Sequence, residues 1–99
     1  LTSGQQAKAS EGATLLAELQ NKYGDKIELL AGSGVNAGNV RELMEKTGIR
    51  QIHSSCKSYR MDSTTETGSV SYAYLSDPHR MDYEFVDVEL VKALAAQIR

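Results

Sequence analysis

The residues of this chain that can do chemistry gather at three short segments built from small side chains: Ser3-Gly4, Gly32-Ser33-Gly34 and Ser54-Ser55. Glycine lets a ligand approach the backbone closely, and unpaired amide N–H groups in such turns attract an anion such as phosphate. Ser3, Gly4, Gly32, Ser33, Gly34, Ser54 and Ser55 are therefore the candidate anion-binding residues. His53 stands directly before the last of these turns, where an imidazole serves as general acid or base toward a ligand held by the amides. Cys56, the single cysteine, follows two residues after Ser54. His53 is its only near neighbour in sequence able to take a proton, so a nucleophilic role has less behind it than the acid–base role of His53.

Elements of regular structure must deliver these turns. Ile27 to Ala31 and Ile49 to His53 are short apolar runs bounded by turn residues, the signature of strands buried in a parallel sheet. Between them Val40, Leu43 and Met44 fall on one side of a helix that Asn36 can cap and Thr47-Gly48 can close. Together these make one βαβ unit, with each strand emptying into one of the glycine or serine turns. Upstream, Ala9, Ala13, Leu16, Leu19 and Tyr23 recur at spacings of three and four and predict a crossover helix over 6–23, stopped by Gly24-Asp25. Downstream, Asp87 can cap a closing helix whose Val88, Val91, Leu94, Ala95 and Ile98 form one stripe. Residues 57–84 are expected to be a long variable loop, disordered or functional, in which Val70-Ser71-Tyr72-Ala73-Tyr74 alternates as one edge strand would.

Strand and helix alternating with right-handed crossovers fits either an open doubly wound sheet or a (β/α)8 barrel. The turns favour the barrel, because barrels often hold phosphate between the loops after their last two strands. Gly32-Ser33-Gly34 has neither the full spaced-glycine pattern of a dinucleotide fingerprint nor the lysine of a Walker loop.

With 99 residues and 40% hydrophobic content the chain is about one small domain. It starts without Met on what reads as the last residues and exit turn of a strand, so a fragment of a larger α/β protein is expected. A net charge of −2, with 11 Lys and Arg scattered along the chain, gives no basic field and argues against nucleic acid. No apolar run approaches the roughly 20 residues a bilayer requires, so no membrane association is expected. One cysteine cannot make an internal disulfide, which fits a reducing cytoplasm.

Leu1-Thr2-Ser3-Gly4, Ala31-Gly32-Ser33-Gly34-Val35-Asn36 followed by Asn39, Thr47-Gly48, and Ile52-His53-Ser54-Ser55 closely resemble, in order and spacing, the C-terminal part of the CutC copper-homeostasis proteins. The likeness covers residues 1–55 well and the final helix moderately. It implies a C-terminal fragment of a (β/α)8 barrel as a single segment over 1–99: the exit of the sixth strand, the seventh and eighth units and the terminal helix. It also implies a cytoplasmic protein linked to copper tolerance or copper(I) binding. The family positions carried over are Ser3, Gly4, Gly32, Gly34, Asn36, His53 and Ser55. Cys56 stands where members often have Gly or Ala.

Copper(I) prefers thiolate, thioether and imidazole, so the soft donors become Cys56, His53 and Met61, with His79 and Met81 further along. Copper(I) is accordingly the candidate cofactor. The competing expectation is an enzyme or binding protein for a phosphorylated small molecule, held at the turns after the last two strands. A third is structural: a piece of a barrel leaves strand edges unpaired and self-associates, with a homo-oligomer as one outcome.

Overall fold

A computed structural model describes residues 1–62, 66–67, 70–71 and 75–98. The described residues make a small α/β assembly with three helices, α1 (Ala13–Tyr23), α2 (Val40–Thr47) and α3 (Val88–Ile98). Their strands are β1 (Leu30–Ala31), β2 (Gln51–Ile52), β3 (Lys57–Met61), β4 (Glu66–Thr67), β5 (Val70–Ser71) and β6 (Asp82–Val86).

The apolar runs form the expected parallel pair, but the ladder is short. Leu30 stands against Gln51 and Ala31 against Ile52, while Thr2 makes an isolated parallel bridge to Ala31. The backbone of Thr2 donates to Leu30 and accepts from Gly32, and His53 donates to the Ala31 carbonyl. Three segments thus lie side by side in chain order, each parallel to the next.

One face of this array is covered by helices. Ala9, Ala13 and Leu16 from the first crossover pack with Ala31, Val35, Val40, Leu43, Ile49 and Leu94 into the core. Leu16, Ile49 and Val40 are its largest fully buried side chains. α1 begins at Ala13 rather than near Gln6, because the preceding segment is held in turns by the sheet. Ala9 donates to the Ser33 carbonyl and Ser33 Oγ to the Ala7 carbonyl, bonds that a helix through residues 6–12 would not allow. α2 ends as its sequence directs, with Gly48 in the left-handed region at φ 76° and its N–H on the Met44 carbonyl at 2.8 Å.

Over 57–84 the loop expectation is corrected. Lys57–Met61 pairs antiparallel with Asp82–Val86 through five matched positions. Lys57 Nζ meets Glu84 at 3.3 Å and the Arg60 guanidinium lies 4.2 Å from the Phe85 ring centre, so both faces of the hairpin carry cross-strand contacts. β4 and β5 form a second short antiparallel pair. The expected edge strand over 70–74 is realised at Val70 and Ser71, and its remaining residues lie outside the described residues.

α3 begins as expected, with Asp87 Oδ1 accepting from the Glu89 N–H at 2.9 Å. Its apolar stripe is less covered than the pattern implied. Leu94 is buried against α2 and the core, whereas Val88, Val91 and Ile98 are 40–60% exposed. The chain extends over 55 × 27 × 20 Å.

Candidate functional site

The glycine and serine turns meet at the C-terminal end of the three parallel segments. Side chains alternate along a strand, so Ala31 and Ile52 face the helices while Gly32 and His53 share the opposite face. A β-carbon on Gly32 would stand 2.7 Å from Leu1 Cδ1 and 3.3 Å from His53 Cβ. Leu1, Gly32 and His53 are therefore neighbours across the sheet, and His53 is exposed there. Its ring has no hydrogen-bond partner among the described residues. Glu28 accepts from the Gln51 side chain, and Gln51 lies on the face of His53.

The serine hydroxyls are largely engaged. Ser3 Oγ donates to the Gln6 carbonyl, Ser33 Oγ to the Ala7 carbonyl and Ser54 Oγ to the Val35 carbonyl, each at 2.6 Å. A hydroxyl has one proton, so these three serines hold the loops together and have none left for a ligand. The Gly4 and Gly32 amides are spent as well, on Thr2 Oγ1 and the Thr2 carbonyl. By contrast the amides of Ser33, Gly34, Ser54 and Ser55 have no acceptor among the described residues. The donor capacity at this end of the sheet is thus concentrated after β1 and β2.

Asn36 and Asn39 shape the first of these turns. Asn36 was expected to cap α2; its Oδ1 instead accepts from Gly38 N–H at 2.9 Å in a local turn. Asn39 is the residue at the helix cap position, and its side chain clamps the loop, accepting from Asn36 N–H and donating to the Gly34 carbonyl. A residue that the sequence did not single out, Lys8, lies across Gly34, with its Cβ, Cγ and Cδ 3.1–3.3 Å from where a β-carbon on Gly34 would stand. Its place in the exit loop gave no sign of that contact.

The soft donors are dispersed. Cys56, at φ 43°, packs against the core and donates its thiol to Ser54 Oγ at 3.6 Å, whereas His53 stands on the other face of the sheet. Cys56 lines a cavity of about 220 Å³ with Val35, Ser54, Ser55, Leu90 and Leu94. Met61 is 72% exposed at the far end of β3, four strand steps or about 13 Å beyond Lys57. His79 stacks on Tyr59 with ring centres 3.7 Å apart and pairs with Asp82 at 2.7 Å. Among the described residues no three His, Cys, Asp or Glu side chains converge as a metal site. A larger opening, about 640 Å³, lies away from all of them, beside Ile27, Glu28 and Arg50 at the strands' entry.

The model of the CutC family matches residues 1–58. The chain belongs to the CutC family. A family protein CutC of Photobacterium profundum is 34% identical over 99 residues, which is 100% of this chain and 40% of the relative. A CutC family protein of Glaesserella parasuis is 32% identical over 98 residues, covering 99% of this chain and 40% of the relative. Another, from Bacteroides thetaiotaomicron, is 44% identical over 72 residues, covering 72% of this chain and 29% of the relative. The chain thus spans at most 40% of the length of these three curated CutC relatives. Among the described residues no helix is long and apolar enough to cross a membrane.

Proposed function

We propose that this chain is part of a cytoplasmic copper-homeostasis protein, contributing parallel βα units to a (β/α)8 barrel and one thiolate donor, Cys56, to copper(I). CutC membership supports the homeostasis role, and the succession of Thr2, β1 and β2 as parallel neighbours in chain order is the arrangement a barrel needs. The observation that carries the copper assignment is the place of Cys56: the chain's one thiol lines a cavity at the end of the strands. His53 and Met61 do not join Cys56, so the remaining donors come from elsewhere in the site's surroundings. An anaerobic copper(I) competition titration on the protein and its Cys56→Ser variant tests this. Affinity falling at least tenfold in the variant supports the reading, and equal affinity removes Cys56 from it.

A second reading is favoured by the four unused amides. In it the protein binds a phosphorylated small molecule, whose phosphate is held by the N–H groups of Ser33, Gly34, Ser54 and Ser55 with His53 beside it as general acid or base. Amide chemical shifts followed during a titration with inorganic phosphate test it. Movement centred on these four residues supports it, and an unmoved spectrum at millimolar phosphate sinks it.

A further inference from the structure

Lys8 is placed by its neighbours rather than by its own preferences. The carbonyl before it, on Ala7, accepts the Ser33 hydroxyl at 2.6 Å, and the amide after it, on Ala9, donates to the Ser33 carbonyl at 2.9 Å. The backbone on both sides of Lys8 is thus tied to one residue of the turn after β1. Its stem then lies across Gly34, which is at φ 70° and has no side chain to obstruct it. The ammonium is two bonds beyond the Cδ that touches this glycine. Among the described residues no carboxylate pairs with it. A lysine with no carboxylate partner thus has its stem against a turn whose Ser33 and Gly34 amides also have no acceptor among the described residues. Positive charge and N–H donors gathered at one turn are complementary to a single ligand group, an oxyanion.

We propose that Lys8 is the cationic residue of a phosphate site completed by the Ser33 and Gly34 amides, and that its ligand is the phosphate group of a small phosphorylated molecule. The inference rests on the second reading above and adds to it the charged residue and the loop that carries it. Closing the site then requires the segment after the first parallel strand to dock on the turn after the second, which the two Ser33 bonds accomplish.

The test is a titration with inorganic phosphate and with glycerol phosphate, followed through the Ser33 and Gly34 amide signals, on the protein and its Lys8→Met and Lys8→Arg variants. The expected result is that Lys8→Met weakens binding about tenfold or more, that Lys8→Arg retains most of it, and that added salt weakens the parent more than Lys8→Met. Equal affinity in the parent and Lys8→Met overturns the role of Lys8 and leaves the amide site standing. Failure of the parent to respond to either ligand overturns the site and the role together. Tighter binding of glycerol phosphate than of inorganic phosphate supports the phosphorylated molecule as ligand, and the reverse order overturns that part. Unchanged signals from the core helices in Lys8→Met establish that its fold is intact.

Discussion

Gly4 and Gly12 meet backbone to backbone at the start of the first helix. A β-carbon on Gly4 would strike the Gly12 carbonyl, and one on Gly12 would strike the Ser3 carbonyl. This contact lets the exit turn of the first parallel segment fold directly onto the helix start, with Gly4 in the left-handed region at φ 72°. Because the obstructing atoms are backbone, neither side can yield by changing a rotamer. Gly12→Ala is expected to cost roughly 1–3 kcal/mol through forced backbone movement. A urea unfolding curve checks this, and an unchanged midpoint would contradict it.

Thr47 is the buried polar residue among the described residues, 5% exposed, and its hydroxyl serves two partners. It donates to the Leu43 carbonyl at 2.7 Å and accepts from the Ile49 N–H at 3.2 Å. Thr47→Val keeps the volume but leaves the Ile49 amide without its acceptor at the entry to β2. The expected loss is about 1–3 kcal/mol, read from chemical denaturation. A Thr47→Ser variant retains the hydroxyl and is expected to lose less if the bonding matters more than the methyl group.

The Lys57–Glu84 pair ties the start of β3 to the middle of β6 and raises the lysine pKa, first through the hydrogen bond and then through the charge of Glu84. A raised folded-state pKa means that the contribution of the pair is fully present below the unfolded lysine pKa of about 10.4 and is lost as pH rises through the higher folded value. Lys57 is exposed and Glu84 is half-buried at the surface, so solvent and salt screen the effect. In Glu84→Gln the Lys57 titration followed by NMR is expected to move down toward the ordinary lysine value. A midpoint that stays where it is would show that Glu84 is not the cause.

The parts legible in the sequence were those set by local pattern. Leu43 and Val40 on one helix face, Gly48 after Thr47, and the short apolar runs around Leu30 and Ile52 each follow from periodicity or backbone conformation alone. What was not legible depends on pairing at a distance. Nothing local in Lys57–Met61 points to Asp82–Val86, more than twenty residues away; the ladder is specified by cross-strand pairs such as Arg60 and Phe85. The late start of α1 has the same cause, since Ser33 captures residues 7–9 across the sheet. At the site, the serines were identifiable by type, but whether a hydroxyl proton is spent on Gln6, Ala7 or Val35 is decided only by the folded loop. Lys8 was invisible because its neighbour, Gly34, is distant in sequence.

Gly32 draws Leu1 and His53 together across the space that its absent side chain would occupy. Position 32 therefore acts as a spacer of zero thickness. Any side chain there would work as a wedge, driving an aliphatic group and an imidazole apart. The lateral position of the imidazole is in this way governed from the adjacent strand, by a residue that has no functional group of its own.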